Sequence, residues 1–467
     1  MVITVFIILL LVILSAMFFA GRKYFNKRLN QEVEKRVEEY IKVKEKVSHI
    51  KEGFDSIISQ STTQSTKLSS KKYDRVTVLF ADIQGFTKIV EHLNPDRLID
   101  ELDKFFFQFD MVIEKYKIEK IKTIGDAYMA AGGIPQKNCT NPIEVVIAAL
   151  EIQEHMLMHK VNQRDFWELR IGIHTGPVIS GKVGRSKTNT DIWGDTVNIA
   201  SRMESSGVAG KINITGATYE LVKEFFDCEY RGKMPIKYKG EIDMYFVKSI
   251  IPELSINGTG KEANDLFKIR LQHIRFADLE ETILERLKTE LTPLMYYHNY
   301  EHVVDVLLQV EILGRSEKIS EEELLLLKTA ALMHDIGFLI SYSNHETKSI
   351  ELTKDILPSY QYTSDQIDKI VQLIGITSLK AKPVNKLEYI LKDADLDYLG
   401  RSDYIVKSEN LYKEIIEFGK EITYSEWQHQ QEEFLLKHNF YTNSAKKMRQ
   451  INKDKHLEKI RKNIVNV

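Results

Sequence analysis

Cysteine is nearly absent from this 467-residue chain, which has only Cys139 and Cys228. Two thiols without metal-ligand spacing cannot build a disulfide framework, so two buried thiols in a reducing compartment are expected. An excess of one charge is missing too: the formal net charge is −2. That removes the strongly basic surface a nucleic-acid partner would require. No internal repeat is present. Hydrophobic residues make up 43% of the chain, enough for ample cores, and the length suggests about three units at ~150 residues each.

Charge is also absent from residues 2–20, VITVFIILLLVILSAMFFA. As a helix this run would extend roughly 30 Å, the thickness of a bilayer's hydrocarbon layer. A cleaved signal peptide is the competing reading. It calls for a basic leading region and a small-x-small cleavage site, and neither the N-terminus nor Phe18-Phe19-Ala20 supplies them. Arg22, Lys23, Lys27 and Arg28 follow the run and would hold the remaining chain on the cytoplasmic side. The expectation is a single-pass anchor over 1–21 in the cell membrane, catalytic domains in the cytoplasm, and no extracytoplasmic sensor domain.

Residues 22–58 form the next unit. Val33, Val37, Tyr40, Val43, Val47, Ile50, Phe54 and Ile57 recur at spacings of 4, 3, 3, 4, 3, 4 and 3, a nearly heptad seam that favours a parallel coiled coil. One helix lying on the next domain would give the same stripe. Residues 59–73 (SQSTTQSTKLSSKKY) are polar and read as a flexible linker. Over 74–250 buried strands alternate with helices, which predicts an α+β domain. The composition shift at 251–262 marks a second linker. Residues 263–467 have helical apolar spacing throughout, as in LLLLKTAALMHDIGFLI, and predict an all-α domain.

Two carboxylates stand out in the α+β region. Asp82 ends a strand in FADIQGFT (80–87), and Asp126 sits on a turn between strands in KTIGDAY (122–128). Carboxylates on adjacent strand ends suit a pair of Mg²⁺ or Mn²⁺ ions shared with substrate phosphates. Asn198 and Arg202 lie four apart in TVNIASRMES, so they share a helix face.

FADIQGFT, KTIGDAYMAAGGIP, LRIGIHTGPVISGKVG and TDIWGDTVNIASRMES resemble, in order and spacing, the signature segments of class III adenylyl and guanylyl cyclases. The resemblance covers about residues 74–248. It implies a ferredoxin-like core whose active sites form between two copies, so a homodimer would complete two sites. It also implies that Asp82 and Asp126 bind two metal ions with help from the Ile83 carbonyl, and that Lys122 and Asp191 face the base. Lys only donates and ionised Asp only accepts, which complements adenine and reads as ATP. Asn198 and Arg202 would orient the ribose and stabilise charge at the α-phosphate. Lys237 would hold the terminal phosphates, with Lys239 a close alternative.

The helical region carries a second constellation. His298 and His302 are four apart in YHNYEHVVDV; His334-Asp335 sits in ALMHDIGF, His345 in SNHE, and Asp393 and Asp395 in LKDADLDYLG. A charged Asp on an apolar helix calls for a metal or a partner, and imidazole with carboxylate suits a divalent transition metal. The ordered set resembles the HD metal-dependent phosphohydrolase superfamily over about 280–460. That implies His302, His334, Asp335 and Asp395 as ligands of a first metal, His298 as general acid and His345 at a second metal. Asp393 competes with Asp395 for the ligand role. The run IGFLISYSNHE departs from the cyclic-nucleotide phosphodiesterase pattern after His-Asp. Three readings of the region stay open: a phosphohydrolase, an enzyme that destroys the messenger its own cyclase makes, and a non-catalytic domain that binds a ligand and gates the cyclase.

Overall fold

The computed structural model describes residues 70–86, 94–162, 167–181, 191–236 and 240–465. The anchor expected over 1–21, the coiled coil over 22–58 and most of the first linker lie outside the described residues, as do Lys237 and Lys239. Among the described residues no helix is long and apolar enough to cross a membrane. The most enclosed helix, Glu321–Met333, has 13 residues, about 20 Å against the ~30 Å a bilayer needs. The expected architecture is therefore corrected: the described chain is an α+β domain followed by an all-α domain, and membrane attachment is not carried forward.

Eight strands form one sheet: β1 (Lys71–Ile83), β2 (Glu119–Ile124), β3 (Ala127–Gly132), β4 (Leu169–Gly181), β5 (Asp191–Trp193), β6 (Lys211–Thr215), β7 (Phe226–Ile236) and β8 (Gly240–Ile250). The order is β2-β3-β1-β4-β6-β8-β7, with β5 paired to β4. Helices α1 (Pro95–Lys115) and α2 (Asn141–Asn162) connect the first four strands, and α3 (Asp195–Ser205) and α4 (Gly216–Val222) follow. The first six elements make the ferredoxin-like βαββαβ unit.

The largely apolar run VTVLFADI follows from burial of β1 on both sides. Leu79, Ala81 and Ile83 enter one core, and Val76, Val78 and Phe80 enter another. Helix α3 covers the second face closely. A Cβ on Gly172 of β4 would stand 1.9 Å from the Glu204 backbone nitrogen, so a side chain there would push α3 off the sheet.

Residues 251–262, expected as a linker, are folded. They form two short 3₁₀ turns; the Ile250 N–H donates to the Gly260 carbonyl at 2.8 Å, and Leu254 is fully buried. Among the described residues nine helices follow: α5 (Asp265–Glu290), α6 (Tyr300–Ser316), α7 (Glu321–Met333), α8 (His345–Ile356), α9 (Ser364–Thr377), α10 (Lys386–Asp395), α11 (Tyr404–Glu417), α12 (Tyr424–Lys437) and α13 (Asn443–Val465). Helix α5 belongs to both domains: Phe267 and Leu271 pack in the sheet's core, while Phe276, Leu279 and Ile283 pack in the helical one. Two buried lysines close helix C-termini, where carbonyls lack intrahelical partners. Lys392 Nζ donates to the carbonyls of Ile376, Thr377 and Ser378 after α9. Lys453 does the same for Leu435 and His438 after α12.

That second cap sets a pH limit. Burial first, then the positive Lys453 and Lys392, pull His438 from its ordinary 6.5 down to about 4. Both ring nitrogens are buried without a hydrogen-bond partner. Between the two values the unfolded chain binds the proton and the folded chain does not, so stability rises with pH across this window and falls as the solution is acidified. The helical domain is expected to lose up to about 3 kcal/mol between pH 6.5 and 4. Urea unfolding at pH 7 and pH 4.5 should show the loss, and His438→Phe should remove most of it.

Candidate active sites

Strand pairing brings Asp82 and Asp126 together. Ile124 pairs with Ala127, leaving a two-residue turn of Gly125 and Asp126 with Gly125 at φ +63°, a backbone conformation that favours glycine. The carboxyls of Asp126 and Asp82 are within hydrogen-bond reach. Burial and the neighbouring Asp82 charge raise Asp126 to about 6. Two like charges held this close fit a divalent cation. Ile83 ends β1 with its side chain buried, which leaves only its carbonyl to serve the site.

Two residues missed in the sequence complete this cluster. Arg170 lies opposite Asp82 in the β1–β4 register and bonds it at 2.7 Å, while its other contact is Glu204 on α3 at 2.9 Å. Burial, then the Asp82 charge, push Glu204 up to about 7. The signal lay in the strings LRIGIHTG and ASRMES, but only the close packing of α3 at Gly172 makes the two residues neighbours.

A second pair forms between β2 and β5, where Lys122 Nζ donates to Asp191 Oδ2 at 2.6 Å. Asn198 and Arg202 are exposed on one face of α3, and among the described residues neither side chain has a hydrogen-bond or ion-pair partner. The single chain therefore brings the aspartates together and the Lys122–Asp191 pair together, and leaves the Asn198–Arg202 face open to a partner.

In the helical domain four side chains from three segments converge. His302 comes from α6, His334 and Asp335 from the end of α7, and Asp395 from the last position of α10. His302 Nε2 is 3.3 Å from His334 Nε2, 3.3 Å from Asp395 Oδ1 and 3.5 Å from Asp335 Oδ2. Ligand atoms of His302, His334 and Asp395 all lie within 4.8 Å of one another. His334 Nδ1 meets the Ala331 carbonyl at 2.7 Å. A carbonyl only accepts, so Nδ1 carries a proton and Nε2 is the ring nitrogen that faces the cluster. Asp335 Oδ2 is buried without an aligned hydrogen bond. Histidines and carboxylates converging in this way fit a divalent metal. Burial alone would raise Asp335, but the adjacent His334 and His298 hold it well below the usual carboxylate range.

Asp393 faces the other way. Its carboxylate is fully buried and accepts from the Tyr441 and Thr442 N–H groups and from the Thr442 hydroxyl. It ties α10 to the segment before α13, and Asp395 alone of the two reaches the histidines. His345, the first residue of α8, places Nε2 3.9 Å from Asp335 Oδ1, beside the cluster. Phe338 stacks on its ring and lies against His298 on the other side.

His298 has a partner that the sequence did not reveal. Buried Glu414 on α11 bonds the His298 ring and accepts the Tyr297 and His298 N–H groups at 2.8 and 3.0 Å. Burial opposes the charged ring, yet Glu414 and nearby Asp335 carry His298 above its ordinary value. A protonated imidazole in this position can serve as an acid. Glu414 is 116 residues away in sequence, so no local motif announced it.

Residues 68–249 match the family described as the adenylate and guanylate cyclase catalytic domain, and residues 299–397 match the HD domain. Atrial natriuretic peptide receptor 2 of Anguilla japonica is 34% identical over 244 residues, 50% of this chain and 23% of that protein. An adenylate cyclase of Mycobacterium bovis is 34% identical over 192 residues, 41% of this chain and 43% of that protein. The chain thus spans less than half the length of either relative. Among solved structures, the guanylate cyclase domain of RhGC from Catenaria anguillulae in complex with GTP is 34% identical, with 38% of this chain and 99% of that one covered and a TM-score of 0.37. The chain therefore carries an adenylate and guanylate cyclase catalytic domain at residues 68–249 and an HD domain at residues 299–397.

Proposed function

We propose that this protein converts ATP to 3′,5′-cyclic AMP and pyrophosphate at sites shared between two copies of the chain, and that its HD domain is a metal-dependent phosphohydrolase. The Lys122–Asp191 pair carries the nucleotide choice. Adenine presents an acceptor at N1 and a donor at N6, which a donor-only lysine and an acceptor-only carboxylate complement. Guanine reverses the polarity at the same positions, so the lysine would face a donor and the carboxylate an acceptor, and both would be left without a partner. Without a base the two side chains bond each other at 2.6 Å, which holds both in place for the exchange.

Asp82 and Asp126 would hold Mg²⁺ or Mn²⁺, which when bound supplies positive charge to the triphosphate. Arg170 keeps Asp82 oriented toward that position. The open Asn198–Arg202 face favours a homodimer, because both side chains are exposed and have no partner among the described residues of the same chain. A planar guanidinium at Arg202 suits the dispersed charge of the transition state. In the HD domain, His334 Nε2 turned toward the cluster and the buried Asp335 oxygen support metal binding, and the bond from Glu414 to the His298 ring supports proton donation to a leaving oxygen. Gating is the second reading. It is favoured by α5, whose side chains enter both cores.

The protein supplied with ATP, GTP and Mn²⁺ should yield cyclic AMP, and a main product of cyclic GMP would overturn the base reading. Lys122→Glu with Asp191→Ser should reverse the preference. Asp126→Ala and Arg202→Ala should each lower kcat by about a hundredfold or more. Mixed in equal amounts they should recover about a quarter of wild-type activity, because half the dimers then hold one intact site. Asp395→Asn should weaken metal binding by the HD domain at least about tenfold, read as metal per chain after gel filtration, without changing cyclase kcat in saturating Mn²⁺.

A further inference from the structure

A cleft of about 930 Å³ lies where the cyclase sheet meets the HD helices, away from both candidate active sites. One wall is the cyclase segment 134–140 with the end of α1, and the other is α5 with the turn after α8. The junction is anchored beneath it. Arg275 of α5 bonds Glu144 in the first turn of α2 at 2.9 Å, with the two side chains 14% and 3% exposed, and Gln361 approaches the same carboxylate.

Three residues of the lining each hold a polar side-chain atom that is buried without a hydrogen-bond partner: Arg275 Nε, Thr140 Oγ and Asn138 Oδ1. Thr140 is 1% exposed. The Arg275 guanidinium uses one Nη on Glu144 and the other on Gln272, so its third nitrogen remains. Native proteins leave few such groups without partners, and each costs stability until one is supplied. Their gathering in one lining calls for an oxygen acceptor for the arginine and the hydroxyl, with a donor for the asparagine.

The surrounding charge indicates what carries that acceptor. Lys71, Lys117 and Lys137 line the cleft and have no ion-pair partner among the described residues. Of the lining carboxylates, Asp110 bonds Lys120 and Asp278 accepts the Cys139 N–H, while Glu114 and Glu119 are exposed. We propose that this cleft binds a phosphate-bearing small molecule of nucleotide size. The phosphate meets Arg275 and Thr140 and draws in the rim lysines, and a donor on the remaining part of the ligand meets Asn138.

Its position touches both catalytic halves. Asn141, next to Thr140, accepts from Thr77 of β1 at 2.6 Å, and β1 carries Asp82. Gln361 follows the helix that begins at His345. A ligand here therefore leans on an element of each domain.

Hydrogen exchange on the full chain tests the proposal with pyrophosphate and ADP as probes, because it separates this cleft from the active sites by peptide. Slower exchange of amides in 136–144 and 359–362 is expected with at least one probe. Lys137→Glu, an exposed substitution that leaves the buried network intact, should weaken that protection at least tenfold in apparent affinity, and Thr140→Val should weaken it as well. Protection at the two active sites should persist in both variants. Absence of protection at 136–144 with either probe, or protection unchanged in Lys137→Glu, would overturn it.

Discussion

The register of β1 between β3 and β4 is the constraint on which the cyclase half depends. Side chains alternate along a strand, so a slip of one residue would turn Asp82 into the core that Leu79 and Ala81 now fill and send those two to the opposite face. Because β1 is buried on both faces, such a slip would lose both cores at once. The same register places Arg170 opposite Asp82 and Phe80 opposite Gly172. At Gly172 the sheet has room for α3 alone, and α3 in turn delivers Glu204 to Arg170 and presents Asn198 and Arg202 outward. One ladder of backbone hydrogen bonds thus fixes the acidic cluster and the open face together.

The HD half solves a similar problem with helix ends. Its clustered histidines and carboxylates come from the first turn of α6 and the C-terminal ends of α7 and α10, and those ends are held by polar groups buried elsewhere. Asp393 anchors α10 to the backbone of Tyr441 and Thr442, which leaves Asp395 turned toward the histidines. Glu414 anchors the segment that carries His298. Each anchor is a buried carboxylate whose oxygens are met by N–H donors. Without those donors a charge in this position would be expensive.

Helix α5 joins the two halves without a flexible break. Its early turns are part of the sheet's core and its later turns part of the helical core, and the Arg275–Glu144 pair locks the crossing point. Removing one member of such a pair strands the other as an uncompensated charge, at a cost of about 3–5 kcal/mol. The folded turns over 251–262 add to this, since Leu254 is buried with the sheet. The two domains consequently share structure where the sequence suggested a tether.

By itself, the sequence determined the two domain types, the α+β and all-α patterns, and most of the residues that the structure gathers at the two candidate sites. Those residues sit in short strings whose periodicity and turn residues are local properties, such as the Gly125-Asp126 turn and the His298–His302 helical spacing. It misjudged the stretch 251–262, because polar, glycine-containing composition says nothing of hydrogen bonds to a neighbouring strand. It did not describe Arg170 with Glu204, Glu414 with His298 or Glu144 with Arg275. It preferred Asp395 to Asp393 as a ligand, but did not show what Asp393 holds instead. Each of these was settled by partners tens to more than a hundred residues away, brought together only when strands register and helices pack. Tertiary structure decided them because the energy of a buried charge depends on what surrounds it in space, and local sequence does not carry that information.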